Sequence, residues 1–323
     1  MQTEIPATNT AASRLGAYLQ LCRAPNVFTA VADVSMGVIF VRERIDPAGS
    51  WLALTLASAL LYSAGMVLND VYDVDVDARE RPERPLPSGR IALARARRLG
   101  YGLLAGGVLS AALGGLLAGP PNWMAGRCGL VAVSLVVCIW LYDALLKQTL
   151  IGPFIMGACR CLNVLLGMSI ACPGLSPAHV LAFGDDQLLV SVAIGCYVVG
   201  VTWFARGEAT HSRRALLMLG FAFMAGGLCL LALLPRWFAV DSQYRHVWPF
   251  ALLVLMIPTL RRCLIAVLYP RPRNVQAAVR QCLFSLIVLD ASICLLVAPW
   301  PWAVAVLALL VPTFLLGQWI PST

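Results

Sequence analysis

Long apolar runs, each about the length of one membrane-crossing helix, fill most of the chain, and the short segments between them carry most of its arginines. No other feature restricts the fold as much. Inside a bilayer only helices and closed barrels satisfy every backbone group internally, and runs of about 20 apolar residues are helix-length. Spans are expected at 24–41, 51–69, 99–118, 123–142, 150–171, 188–206, 215–234, 247–268 and 281–298. A tenth candidate, 302–319, is set off from the ninth by Pro299-Trp300-Pro301-Trp302, because proline removes a backbone donor and clashes with the preceding turn. The expected class is therefore all-α: a polytopic membrane helical bundle of nine or ten transmembrane helices.

Composition agrees. Hydrophobic residues make up 60% and charged residues 12%, against about 45–50% and 25% in soluble domains. The net charge of +8 does not indicate nucleic acid, because the cations cluster between apolar runs, where they face an anionic membrane surface. With the N-terminus inside, eighteen Lys and Arg fall on inner segments and five on outer ones, Arg127 among the five. That bias places the N-terminus in the cytoplasm, most simply at a bacterial inner membrane. Met1 to Arg14 is polar and lacks an apolar core, so it is no cleavable signal, and the first span directs insertion. Residues 1–23 form a cytoplasmic segment and 24–320 a single membrane domain. The 11 cysteines include no C-x-x-C pair and read as small buried apolar residues. His179, His211 and His246 are scattered over separate loops and suggest neither zinc nor a catalytic dyad.

The chemistry gathers on inner segments. The second span ends in Asn69-Asp70-Val71-Tyr72-Asp73-Val74-Asp75-Val76-Asp77. If the helix continues through this run, Asp70, Asp73 and Asp77 lie within about 60° of one another, Asn69 flanks them and Asp75 points away. Three in-register carboxylates repel unless a cation lies between them, and oxygen-rich donors suit Mg²⁺, which bridges carboxylates to substrate phosphates. The next loop, from Arg79 to Arg90, alternates arginine and proline. Arginine binds phosphate oxygens in pairs. Metal and cation together make a diphosphate clamp, with Asp70, Asp73 and Asp77 on metal and Arg81 and Arg84 neutralising the departing diphosphate.

The N-D-x-x-D-x-x-x-D run followed by R-P-x-R-P-L-P-S-G resembles the first signature of the UbiA superfamily of intramembrane prenyltransferases. The resemblance implies a helical bundle, usually of nine spans, around a central cavity. It also implies a prenyl diphosphate held through Mg²⁺ and a prenyl group passed to a small lipophilic, commonly aromatic, acceptor. It assigns metal and diphosphate to Asn69, Asp70, Asp73 and Asp77. Arg23 and Asn26 resemble the family's R-x-x-N entry, at the cavity mouth. Tyr142 to Lys147 resembles its Tyr-to-Lys element, and Lys147, the only lysine, can meet a phosphate oxygen. Arg160 and Asn163 share a face of the fifth span and are expected to line the cavity; Asp33 and Asp290 each remain open as partner of Arg160 or contact for the acceptor.

The family's second aspartate motif is depleted. The sixth span ends Val201-Thr202-Trp203-Phe204-Ala205-Arg206-Gly207-Glu208, with Val201 where an acid is expected and Glu208 as the remaining metal ligand. Thr202, Arg206 and Glu208 are the substrate contacts expected there, and Trp203 and Phe204 are expected walls for an allylic cation. Together with A-P-N-V-F-T-A-V-A-D at 24–33 and G-P-F-I-M-G-A-C-R-C-L-N at 152–163, this resembles the EboC-like branch. Two functions follow: an Mg²⁺-dependent prenyltransferase, or a non-catalytic isoprenoid-diphosphate or lipid-binding accessory on the same fold.

Overall fold

The computed structural model describes residues 11–119, 123–171, 182–206, 213–237 and 244–320. Glu208, His179 and His211 lie outside them. All regular structure among the described residues is helical. A short α1 (Ala11–Leu21) and a 3₁₀ turn (Ala24–Asn26) lead into α2 (Val27–Arg42) and α3 (Ala48–Tyr72), and α4 (Val74–Glu80) follows. Then come α5 (Leu93–Leu117), α6 (Trp123–Leu141), a π-helical turn (Tyr142–Leu146) and α7 (Gly152–Met168). The rest is α8 (Asp185–Ala205), α9 (Arg214–Trp237), α10 (Trp248–Leu268), α11 (Pro272–Val297), α12 (Trp300–Leu307) and α13 (Leu310–Trp319).

Nine helical stretches among the described residues are long and apolar enough to cross a membrane, the last being Trp300–Trp319. Helix α7, at 17 residues, is the tenth apolar helix and spans about 25 Å at 1.5 Å per residue. All ten expected positions are thus helical. The break at the Pro-Trp repeat holds: α11 stops at Val297 and α12 restarts with Pro301 in its first turn. A Cβ built on Gly317 would lie 4.0 Å from Pro25, so α13 ends on the side where α2 begins. Helix α13 therefore ends at the face that carries the aspartates, in keeping with an even number of crossings.

Helix ends were the least legible part. Helix α5 starts at Leu93 and carries Arg95, Arg97 and Arg98, and α11 starts at Pro272 and carries Arg273 and Arg280. Hydropathy marks the stretch inside hydrocarbon, while the helix itself continues into the interface, where long cationic side chains reach water.

Lipid tails give helices no hydrophobic reason to associate, so contact depends on close packing. Glycines make that contact between α2 and α7, where a Cβ at Gly37 would stand 2.7 Å from the Val164 carbonyl oxygen. At Gly195 on α8, a Cβ would stand 3.0 Å from the Gly157 carbonyl oxygen of α7. Helices α2, α3, α7, α8 and α11 contribute most of the buried residues. Leu109, Leu116, Val133, Phe250 and Val254 are exposed on α5, α6 and α10, as a lipid-facing surface demands. Outside the main core, α1 packs Ala17 and Leu21 against Val67, Val71 and Ile91.

Candidate functional site

Helix α3 does not run through the acidic motif. It ends at Tyr72, Asp73 occupies the junction with φ −90° and ψ 3°, and α4 restarts at Val74. The carboxylates stay clustered despite the break. Asp70 is 5% and Asp77 4% exposed, whereas Asp75 is exposed and turned away as expected.

Asp70, Asp73 and Asp77 each have a cation. Arg84 Nη1 donates to Asp77 Oδ2 at 2.7 Å and lies 3.5 Å from Asp70 Oδ1. The arginine–proline loop folds back over α4 to allow this, with Pro85 and Leu86 buried; the Arg84 carbonyl accepts from Ser88 Oγ at 2.6 Å. Arg23 Nη2 stands 3.6 Å from Asp70 Oδ1. Its own backbone is left-handed, φ 46° and ψ 48°, a conformation that costs a residue with a Cβ about 1–2 kcal/mol. The turn at the start of α2 holds it there. Lys147 Nζ donates to Asn69 Oδ1 at 2.8 Å and pairs with Asp73. Asn26 lies beside Tyr62 of α3. Arg81 is half-buried and makes no side-chain hydrogen bond or ion pair among the described residues.

The structure thus brings Arg23, Asn69, Asp70, Asp73, Asp77, Arg84 and Lys147 into one cluster. Asp77 points at Arg84 rather than into open space. No group of three His, Cys, Asp or Glu residues converges on a metal position among the described residues. The donors Asn69, Asp70 and Asp73 have the chemistry of a hard divalent ion, which typically binds one or two carboxylates and completes its shell with waters and phosphate oxygens. An ion bound jointly with a diphosphate fits these residues; a cage made by the protein alone does not.

The sixth-span residues differ from expectation. Arg206 Nη2 donates to the carbonyls of Lys147, at 2.7 Å, and Thr149, and its guanidinium lies over the Trp203 ring at 4.9 Å. Removal from water lowers its pKa. Arg206 therefore fastens the segment carrying Lys147 to α8, with Tyr142 beside it. Thr202 Oγ1 donates to the Val198 carbonyl of its own helix at 2.8 Å. Phe204 is fully buried, and a Cβ on Gly220 would lie 2.8 Å from its ring, so it packs toward α9 rather than walling a cavity. Val201 is buried in the core.

Arg160 and Asn163 form a buried network instead of an open lining. Arg160 Nε lies 2.6 Å from Asp33 Oδ2, and its Nη2 donates to the Thr29 carbonyl at 2.8 Å. Asn163 Nδ2 donates to Asp33 Oδ2 at 2.8 Å, and Ser58 Oγ donates to Asn163 Oδ1 at 2.7 Å. Of the two candidate partners, Asp33 holds Arg160. Asp290 lies beside Asp33, fully buried, and neither of its oxygens accepts a hydrogen bond. This polar core locks α2, α3 and α7 together.

Two residues went unrecognised in the sequence. Arg127, counted among the outer cations, is buried inside α6. It donates to the carbonyls of Ser169 and Ala182, each at 2.9 Å, and lies 4.2 Å over the Phe183 ring. Asp143, within the Tyr-to-Lys run, has Oδ2 sealed from solvent without a hydrogen-bond partner.

Ten apolar helices among the described residues, with an acid-and-cation cluster at one end of the bundle, define an integral, multi-pass helical membrane protein. Residues 30–257 match the UbiA prenyltransferase family. The chain belongs to that family. Among curated relatives, the digeranylgeranylglyceryl phosphate synthase of Sulfolobus acidocaldarius is 36% identical over 152 residues, which is 47% of this chain and 51% of that protein. The synthase of Sulfurisphaera tokodaii is 32% identical over 153 residues, again 47% and 51%. The chain thus spans about half the length of the curated relatives it matches. Among solved structures, a UbiA homolog from Archaeoglobus fulgidus bound to DMAPP and Mg²⁺ superposes with a TM-score of 0.59 at 14% identity, covering 90% of this chain and 99% of that one. The apo UbiA homolog of Aeropyrum pernix K1 gives 0.60 at 17% identity, covering 82% and 97%. These likenesses establish the fold.

Proposed function

We propose that the protein transfers a prenyl group from a prenyl diphosphate to a small lipophilic acceptor within the membrane, assisted by Mg²⁺. The observation that carries this is the convergence of Asn69, Asp70 and Asp73 with Arg23, Arg84 and Lys147 at one end of an apolar bundle. Asn69, Asp70 and Asp73 would hold the divalent ion with the diphosphate, Asp77 would anchor Arg84, and Glu208 keeps its assignment from the family resemblance. When bound, the ion neutralises charge on the diphosphate oxygens. Lys147, Arg84 and Arg81 add positive charge where the leaving group gains negative charge. The allylic C–O bond breaks, the diphosphate takes the electron pair, and the acceptor bonds to the allylic carbon and loses a proton.

The relatives' name, digeranylgeranylglyceryl phosphate synthase, describes a glyceryl phosphate product and favours that acceptor class over an aromatic one. Those relatives are archaeal and give no support to a bacterial inner membrane in particular. A cell membrane with the N-terminus and the aspartate cluster on the cytoplasmic face follows from the arginine distribution.

One observation favours a second reading. Among the described residues, the inner end of α8 offers no carboxylate, and Arg206 is committed to backbone carbonyls. Binding without turnover, as in an accessory protein, suits that arrangement. The experiment separating the two incubates purified protein with labelled geranyl, farnesyl or geranylgeranyl diphosphate, with Mg²⁺ or EDTA, and follows diphosphate release. Mg²⁺-dependent release that Asp73→Ala abolishes supports transfer. Tight binding without release, even with membrane extract as a source of acceptors, supports the accessory reading.

A further inference from the structure

The cluster contains one carboxylate that the reading above does not use. Asp143 sits on the π-helical turn after α6, closed by the Lys147 N–H donating to the Tyr142 carbonyl at 2.9 Å. That turn carries Asp143 four residues before Lys147, whose ammonium holds Asp73 and Asn69. The charged groups that Asp143 senses are Lys147, Asp73, Arg23 and Asp70, the members of the cluster itself. Its Oδ2 is sealed from solvent and accepts no hydrogen bond. An ionisable group left unsatisfied in such surroundings costs free energy, and π turns of this kind recur at functional positions.

Charge bookkeeping points the same way. Asp70, Asp73 and Asp77 face Arg23, Arg84 and Lys147, three acids against three cations. Asp143 is a fourth carboxyl beside them and takes part in none of these ion pairs. Across the bundle, α8 carries the buried apolar Val201 at the position where the family resemblance leads to an acid.

We propose that Asp143 supplies a carboxylate that the described residues of the α8 end do not, so that a divalent ion arriving with a prenyl diphosphate is held between Asp73 of the α3–α4 junction and Asp143 of the π turn. The inference rests on the reading in which this cluster binds a prenyl diphosphate together with a divalent ion. It gives the π turn a use, since that turn sets where Lys147 falls relative to Asp143. It also explains why Arg206 is used to clamp the Lys147 carbonyl: the segment bearing both Asp143 and Lys147 has to be held in place.

The test uses the full chain in nanodiscs, Mn²⁺ as a paramagnetic probe, and geranylgeranyl thiodiphosphate, whose bridging sulfur resists cleavage. Loss of the free Mn²⁺ resonance measures uptake without any turnover. Wild type is expected to take up Mn²⁺ only with the analogue, and Asp143→Asn to weaken uptake by roughly tenfold or more. Asp75→Asn, which removes an exposed acid turned away from the cluster, is expected to change nothing. Asp143→Asn uptake equal to wild type, while Asp73→Asn loses it, overturns this inference and leaves the functional reading standing. A wild type that takes up no Mn²⁺ with the analogue overturns both. Should Asp143→Asn fail to fold, Asp143→Glu decides: a carboxylate moved by one methylene is expected to alter the spectrum of bound Mn²⁺, and an unaltered spectrum overturns the inference.

Discussion

Arg84 donates to Asp77 at 2.7 Å while the same Nη1 stands 3.5 Å from Asp70, so one guanidinium bridges the two most buried acids of the motif. Removing one member of a buried pair leaves an uncompensated charge, at a cost of about 3–5 kcal/mol. Arg84→Gln is expected to lower the thermal unfolding midpoint clearly. Arg84→Gln combined with Asp77→Asn is expected to recover much of that loss without recovering diphosphate binding. Unfolding followed by tryptophan fluorescence in detergent checks the first part, and a wild-type midpoint for the single variant would show that Arg84 does not neutralise this pair.

Lys147 behaves differently because it is only partly buried. Its pair with Asp73 leaves about a quarter of each side chain exposed, and exposed pairs contribute about 0–1 kcal/mol. Lys147→Met should therefore leave folding nearly unchanged. Prenyl diphosphate binding is expected to fall roughly tenfold, since about 1.4 kcal/mol of phosphate contact corresponds to that factor. Lys147→Arg is expected to recover only part of it, because a planar fork does not replace a compact ammonium. Equilibrium binding of a labelled prenyl thiodiphosphate measures both variants.

Removal of metal gives a third expectation. No three acids or histidines converge among the described residues, so the ion depends on the diphosphate for part of its shell. EDTA is expected to abolish prenyl diphosphate binding yet leave the unfolding midpoint of the ligand-free protein unmoved. A midpoint that falls with EDTA alone would reveal a structural metal held by the protein itself.

Much of this architecture was legible in the sequence. Runs of apolar residues located the ten apolar helices among the described residues, because the cost of exposing charge and backbone to lipid acts residue by residue. Helical periodicity placed Asp70, Asp73 and Asp77 together and turned Asp75 away, even though the helix breaks at Asp73. What stayed hidden was tertiary. The choice of Asp33 over Asp290 as the partner of Arg160 depends on how α2 meets α7, about 130 residues apart in sequence. The task of Arg206 depends on where the turn after α6 lands. Arg127 counted as an outer cation because hydropathy alone does not show that Ser169 and Ala182 aim carbonyls at it. Asp143 escaped notice because its burial depends on how the turn after α6 packs against α3, a contact between segments far apart in sequence.

The Arg160–Asp33 pair leads to a prediction about stability alone. Arg160→Met leaves Asp33 buried beside Asp290, two acids without a cation, and is expected to destabilise by about 3–5 kcal/mol. Arg160→Met with Asp33→Leu removes the charges together and is expected to be markedly milder, since apolar replacement of a whole buried pair is often neutral. A double variant as unstable as the single one would mean that Arg160 serves chiefly through its bond to the Thr29 carbonyl.

A close approach between α2 and α7 gives the last. A Cβ at Gly37 would come within 2.7 Å of the Val164 carbonyl oxygen and 3.0 Å of the Gly167 Cα. Backbone atoms cannot rotate away as a side chain can, so Gly37→Ala has to push the two helices apart. That separation lengthens the Asp33 contacts to Arg160 and Asn163 beside it and costs packing on both helices; a strained core insertion is typically worth about 1–3 kcal/mol. Gly37→Leu is expected to be worse and to abolish accumulation in the membrane. Gly226, where a Cβ would meet nothing within 4 Å, is the control: Gly226→Ala should be neutral or slightly stabilising, because alanine favours the helix over glycine by about 1 kcal/mol. Unfolding midpoints of the two alanine variants, measured side by side, check the difference, and equal midpoints would show that α2 and α7 do not depend on this contact.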